Sequence, residues 1–81
     1  MTTRLGFIGV VVKDRKNSAE AVNKILAEFG ETIIARMGVP YPTRKLNIIT
    51  LVVDTTTDRF GALSGQLGSL PGVTVKSALT Q

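Results

Sequence analysis

Two long apolar runs restrict the fold of this chain more than any other feature of its sequence. The runs cover residues 5–12 and 46–54, and both contain many β-branched residues. Apolar side chains occupy both alternating sets of positions in each run, which is typical of strands covered on both faces. We therefore expect residues 4–13 and 46–54 to form central strands of a sheet.

The segment between these runs predicts one helix and one shorter strand. Apolar residues recur at helical spacing, at Val22, Ile25, Leu26 and Phe29. Asn17, with Glu20 three residues later, has the spacing of a capping box, although Asp14 offers an earlier start. Gly30 is the expected stop, and a short strand follows over residues 32–37. Two prolines then favour a long hairpin arm over residues 38–45 instead of a regular strand.

A second helix with a stripe of glycines is predicted to follow residues 55–58, and Thr55, Thr56, Thr57 or Asp58 could cap it. One apolar face is formed by Phe60, Leu63, Leu67 and Leu70. Gly61, Gly65 and Gly68 form a bare stripe beside it, and each glycine costs a helix about 1 kcal/mol relative to alanine. We interpret these three as close-packing glycines, against the sheet or a sister helix, with room for a ligand as the alternative. A last strand is expected over residues 73–78.

The resulting order, β-α-β-β-α-β, predicts a single domain over residues 1–81. With right-handed crossovers it is an α+β, ferredoxin-like sandwich: a four-stranded antiparallel sheet with two helices on one face. The other face would then expose the apolar side chains of the central strands, which is rare on a soluble monomer. We therefore expect a homo-oligomer, a dimer or tetramer, built by packing of sheet faces.

Composition excludes several classes of function. The 81 residues include no cysteine and no histidine, which removes thiol catalysis, thiolate metal sites and the commonest general base. No phosphate-binding loop occurs, and Ser64 lacks a nucleophile motif. Asp54 and Asp58 fit a turn and a helix cap better than a magnesium site. We expect no enzyme activity, no cofactor and no metal, and a cytoplasmic protein, since the first apolar run is too short to span a membrane.

The net charge of +4 lies in the first half of the chain, where residues 1–45 hold eight basic and four acidic side chains. One candidate site is the loop before the first helix, with Asp14, Arg15, Lys16 and Asn17, where backbone amides favour an anion. The second candidate combines Arg36, Tyr41, Arg44 and Lys45, in and beside the hairpin arm. Both sets predict a small anionic metabolite at a subunit interface. The alternatives are a plain solvated loop for the first set and an oligomer contact for the second.

Two stretches of the chain resemble a known family. Residues 35–41 (ARMGVPY) and 58–68 (DRFGALSGQLG), continuing into 70–73 (LPGV), resemble the proposed regulators of the iron-only hydrogenase system. Those are stand-alone domains similar to ACT domains and to the C-terminal domain of the nickel-responsive regulator. The resemblance covers nearly the whole chain and implies an ACT-like, non-catalytic, ligand-sensing module in hydrogenase-related metabolism.

Departures from these relatives limit what the resemblance implies. Gln66 stands where we expect a lysine, so an anion-binding role is not carried over to that position. Without histidine or cysteine, nickel binding is not implied either. Asp14 is not followed by the glycine of amino-acid-binding ACT domains, so no specific amino-acid ligand is implied.

Two other functions fit the same sequence. A nucleic-acid-binding protein would need Phe7 and Tyr41 to stack on bases, and the chain has only four aromatic residues, most of them at expected core positions. We therefore expect nucleic acid not to be the partner. A structural subunit that binds only another protein is the third possibility.

Overall fold

The computed structural model describes residues 2–13 and 16–80, with Lys16 described by its backbone alone. The elements are β1 (Arg4–Lys13), α1 (Lys16–Glu28), β2 (Ile33–Tyr41), β3 (Leu46–Thr55), α2 (Thr57–Gly68) and β4 (Val73–Leu79). The strands form one antiparallel sheet in the order β2-β3-β1-β4. Both helices pack on one face of it, so the predicted ferredoxin-like sandwich is confirmed.

The hydrophobic core lies between the two helices and one face of the sheet. Burial alternates along β1 and β3, because successive side chains of a strand point to opposite faces. The sheet contributes Ile8, Val10, Val12, Ile49, Leu51 and Val53, and the helical side contributes Val22, Leu26, Phe29, Phe60, Leu63 and Leu67. The predicted apolar stripes of the two helices therefore do face the sheet.

The two helices begin differently from one another. The hydroxyl of Thr56 caps α2 by accepting a hydrogen bond of 3.3 Å from the backbone N–H of Arg59. Helix α1 begins at Lys16, so the prediction of Asn17 as its N-cap is wrong, because that residue already lies in the first turn. Asp14, the other candidate cap, lies outside the described residues.

Polar contacts fix α1 against the second half of the chain. The buried Ser18 hydroxyl donates a hydrogen bond of 2.9 Å to the carbonyl oxygen of Pro71, in the turn that follows α2. At the other end of α1, the Arg59 guanidinium lies 4.9 Å from the ring centroid of Phe29. These contacts hold both helices over the same face and leave the opposite face uncovered.

The predicted hairpin arm over residues 38–45 is wrong in its length. Strand β2 continues to Tyr41, and only Pro42–Arg44 form a turn, closed by Lys45 with a φ of 54°. Pro40 is accommodated inside the strand because β2 is the edge of the sheet, where a missing N–H breaks no second hydrogen-bond ladder. The connection between β2 and β3 is therefore a short turn.

Candidate functional site

The face of the sheet opposite the helices, which we call the outer face, carries a band of apolar side chains. Its members are Leu5, Phe7 and Val11 of β1, Ile48 and Val52 of β3, and Met37, Val39 and Tyr41 of β2. Cross-strand register brings them together, with Phe7 opposite Val52 and Val39 opposite Ile48. Phe7 and Met37 expose 48% and 60% of their surface. A contiguous exposed band of this kind is typical of an interaction surface.

The outer face also has a shallow hollow over β1 and the edge strand β4. Gly9 contributes no side chain there, and its cross-strand neighbours are Thr50 and Lys76. The depression has a volume of about 320 Å³ and is bordered by Phe7. Phe7 and Gly9 are two residues apart on one strand, so they lie on the same face. The ring of Phe7 therefore projects directly beside a position that has no side chain.

A cleft opens on the helical side of the sheet, between α1 and the edge formed by β2 and β3. We call it the α1–β2 cleft. Its volume is about 270 Å³, and its lining includes Val12, Val22, Arg36, Gly38, Pro40 and Asn47. The inward positions of β2 in this region are Arg36, Gly38 and Pro40, which pair with Leu51, Ile49 and Asn47. None of the three carries a large apolar side chain, so the space beside α1 stays open.

Arg36 and Asn23 form a polar bridge across this cleft. The Nη2 atom of Arg36 donates a hydrogen bond of 2.8 Å to Oδ1 of Asn23, and so joins β2 to α1. The acceptor is a neutral amide, so this contact leaves the positive charge of Arg36 uncompensated. Asn47 adds a half-buried amide to the same lining. Among the described residues that line the cleft, none is an aspartate or a glutamate.

The residues of the first predicted site lie at the start of α1. Asp14 and Arg15 are outside the described residues, and so is the side chain of Lys16. Asn17 is exposed in the first turn of α1. It lies on the same helix as Asn23, about 9 Å away along the helix axis.

The second predicted site is divided by the sheet. Arg36 pairs with Leu51 and points toward α1, whereas Tyr41 pairs with Leu46 and points to the outer face. Arg44 lies in the exposed turn after β2. Within one chain, Arg36 and Tyr41 therefore cannot contact the same small ligand, and Tyr41 belongs to the outer face.

The glycine stripe of α2 is not covered by its own chain. Gly61, Gly65 and Gly68 are exposed, and a Cβ atom added at any of them would meet no described atom within 4 Å. The expectation that the stripe packs against the sheet of the same chain is therefore wrong. The apolar side chains of α2 face the sheet, and the glycines do not. Packing of the stripe against another molecule stays a prediction.

Other groups considered in the sequence give no reactive site. Among the described residues, no three acidic, histidine or cysteine side chains lie close enough together to hold a metal ion. The hydroxyl oxygen of Ser64 is buried and has no hydrogen-bond partner among the described residues. Neither of the described helices is long and apolar enough to cross a membrane.

Asn23 and Asn47 are the lining residues that sequence reasoning missed. Nothing in their local sequence distinguishes them, since asparagine on a helix or strand is usually a solvated surface residue. The alternation Arg36-x-Gly38-x-Pro40 was the available signal. Three successive positions on one face of a strand without a large apolar side chain predict a gap in the core beneath them.

Comparison with solved structures places the chain among ACT-like domains. A structure of TM1266 from Thermotoga maritima superposes with a TM-score of 0.95 and 39% identity, covering 98% of this chain and 99% of that one. The ACT domain from GTP pyrophosphokinase of Chlorobium tepidum gives a TM-score of 0.80 at 20% identity, covering 95% and 100% of the two chains. The C-terminal domain of the MgtC protein from Mycobacterium tuberculosis gives 0.73 at 15%, covering 95% and 87%. The last two similarities concern the fold alone.

The family assignment follows from the sequence match together with the close structural relative. None of the curated proteins compared with the chain matches it. Residues 4–77 match the family described as "TM1266-like: Iron-only hydrogenase system regulator, putative". Since this match spans most of the chain and the Thermotoga maritima structure shares its fold over the full length, the chain belongs to that family.

Proposed function

We propose that the protein is a non-catalytic regulatory module that works as a homo-oligomer and responds to a small anionic metabolite. The regulated process, as the family description indicates, is the iron-only hydrogenase system. The observation that carries the proposal is the uncovered apolar band of the outer face, with Phe7 and Met37 about half exposed or more. A second copy of the chain is the occupant that we infer for this face.

The size of the outer face supports a two-chain interface. Four strands about 4.8 Å apart, each about eight residues long at about 3.3 Å per residue, give a face of roughly 500 Å². Two such faces in contact would bury roughly 1,000 Å², which is the lower bound for a specific interface. A pair of chains therefore suffices to cover the exposed band.

We infer that Phe7 and the Gly9 hollow are complementary in shape between two copies, and that the charges at the two ends of the outer face are complementary as well. A two-fold axis that lies in the interface, perpendicular to the strands and level with Ile8, would bring Phe7 of each chain over the Gly9 hollow of the other. Asp54 and Lys13 lie at opposite ends of the β1–β3 pair, and both are exposed. The same axis reverses the strand direction of the partner and therefore places each Asp54 end against a Lys13 end.

The sensing part of the proposal rests on the basic groups of the two predicted sites. Tyr41 lies at the end of the outer face and Arg44 in the turn beyond it, so both would border a partner packed on that face. Arg36 offers a guanidinium at the α1–β2 cleft. Guanidinium groups bind carboxylates and phosphates through paired hydrogen bonds, which favours an anionic metabolite.

Native mass spectrometry of the purified protein tests assembly and ligand binding together. We expect a dimer, or a tetramer built from dimers, with the mass of a retained small molecule in part of the population. An oligomer that gains no mass while cell metabolites are present at millimolar concentration would contradict the sensing part. A monomer at micromolar concentration would contradict the assembly.

Nucleic-acid binding is the second candidate function, because Phe7 and Tyr41 are both exposed on the outer face. Stacking of bases on such rings is a common mode of RNA recognition by a four-stranded sheet. The aliphatic side chains around these rings on the outer face disfavour it, because they offer no polar partner to bases or phosphates. Binding of a single-stranded oligonucleotide that weakens steeply with added salt would support this function over self-association through the outer face.

A further inference from the structure

We propose that the α1–β2 cleft binds a small carboxylate with a branched apolar body and no amino group, held by the guanidinium of Arg36. This inference deepens the sensing function proposed above by naming its ligand class. The described lining residues of the cleft all belong to one chain, so its ligand binding can be tested separately from assembly.

The dimensions of the cleft set the size of its ligand. Its volume of about 270 Å³ lies just below the range of about 300–1,000 Å³ that is usual for sites of drug-sized molecules. Val12 and Val22 give apolar walls, and both are almost completely buried. A compact aliphatic body therefore fits the interior better than a nucleotide or a sugar phosphate, whose polar groups would lose water without a partner there.

Arg36 provides the recognition of a carboxylate. Its Nη2 atom already donates to Oδ1 of Asn23, across the mouth of the cleft. A ligand carboxylate is a stronger acceptor than this neutral amide, and it can accept two parallel hydrogen bonds from a guanidinium. The Asn23 amide oxygen thus accepts a hydrogen bond from an Arg36 N–H group that would donate to a bound carboxylate instead.

The lining also selects against amino acids. No aspartate or glutamate is present among the described lining residues, which offer an α-ammonium group only the neutral amide oxygens of Asn23 and Asn47 and no counter-ion. Removing a charged group from water without a partner is costly. The cleft should therefore prefer a branched carboxylate to the amino acid with the same carbon skeleton.

Isovalerate, valine and isovaleramide form a matched set of probes for this preference. Valine adds an α-amino group to isovalerate, and isovaleramide replaces its carboxylate by a neutral amide of similar shape. In titrations followed by amide NMR shifts, we expect isovalerate to shift the signals of Gly38, Asn47 and Val22 with a millimolar dissociation constant. Valine and isovaleramide should bind at least about tenfold more weakly. Equal shifts with all three probes, or none with isovalerate, would overturn the proposal.

Variants at the bridge separate ligand binding from a structural role. Arg36→Gln removes the cation and should abolish isovalerate binding, whereas Arg4→Gln makes the same change of charge at the exposed start of β1 and should have no effect. Asn23→Asp keeps Arg36 but gives it an internal carboxylate, and should also block isovalerate. Asn23→Ala removes the competing amide and should tighten binding by about two- to tenfold.

If the hydrogen bond between Arg36 and Asn23 served only to stabilise the packing of β2 against α1, these variants would give different results. Asn23→Ala and Arg36→Gln would then lower the melting temperature together, and Asn23→Ala would not bind isovalerate more tightly than the wild type. That pattern would overturn the proposal even if Arg36→Gln proved too unstable to titrate. A monomeric protein that binds isovalerate would contradict only the proposed assembly. A dimeric protein that does not bind isovalerate would contradict only the proposed carboxylate site in the cleft.

Discussion

The ring of Phe60 lies directly on the backbone of Gly6. A Cβ atom at position 6 would lie 2.6 Å from Cε1 of that ring and 3.0 Å from Cδ2 of Leu79. Both Gly6 and Phe60 are buried, and their contact brings the start of α2 down onto β1. Gly6 is therefore the glycine that the packing of α2 requires.

Replacement of Gly6 by alanine should destabilise the protein, because a large ring in a packed core has little space to move. We expect Gly6→Ala to lower the free energy of unfolding by about 1–3 kcal/mol. The measurement is urea denaturation at one fixed protein concentration, since assembly adds to apparent stability. Gly38→Ala is the matched control, because a Cβ atom at that strand position would meet no described atom within 4 Å. Equal stability of the two variants would show that the Phe60 contact is not tight.

The glycine stripe of α2 gives a prediction of the opposite sign. A Cβ atom at Gly65 meets open space, so alanine should gain helix propensity without a clash. We expect Gly65→Ala to raise the free energy of unfolding by about 0.5–1 kcal/mol. A loss of stability in the same denaturation experiment would indicate that another molecule packs closely on the stripe.

The hydrogen bond from Ser18 to Pro71 should contribute measurably to stability, because it joins segments 53 residues apart in a partly buried position. We expect Ser18→Ala to lower the free energy of unfolding by about 1–2 kcal/mol, since the carbonyl of Pro71 loses its donor. Ser69→Ala is the control, because that hydroxyl bonds an exposed carbonyl three residues away. Similar effects of the two variants would contradict a special role for the Ser18 contact.

The fold could be predicted from sequence because its signals are local. The continuous apolar run over residues 5–12 and the helical spacing from Val22 to Phe29 each lie within one element, and each element formed close to its expected position. The arm over residues 38–45 was predicted too long, because the tolerance of Pro40 depends on β2 being an edge strand.

The candidate site was harder to predict because it depends on packing between elements. Arg36 was identified as a candidate, but its partner Asn23 is brought close only by the placement of α1 on the sheet. The roles of the glycines also depend on packing between elements and could not be predicted from the local sequence. Gly65 costs helix propensity, yet a Cβ atom there would meet no described atom within 4 Å. Gly6, which no local pattern marks, is required by a ring 54 positions away.

Sedimentation velocity of the wild type and of Phe7→Lys tests most directly the claim that a second chain covers the outer face. Phe7 points away from the core, so Phe7→Lys should fold, but it would place a charge in the interface at a cost of several kcal/mol. Gln66→Lys adds the same charge to the exposed side of α2 and serves as the control. We predict an oligomer for the wild type and for Gln66→Lys, and a monomer for Phe7→Lys at the same concentration. A monomeric wild type, or a Phe7→Lys variant that assembles as the wild type does, would contradict the account.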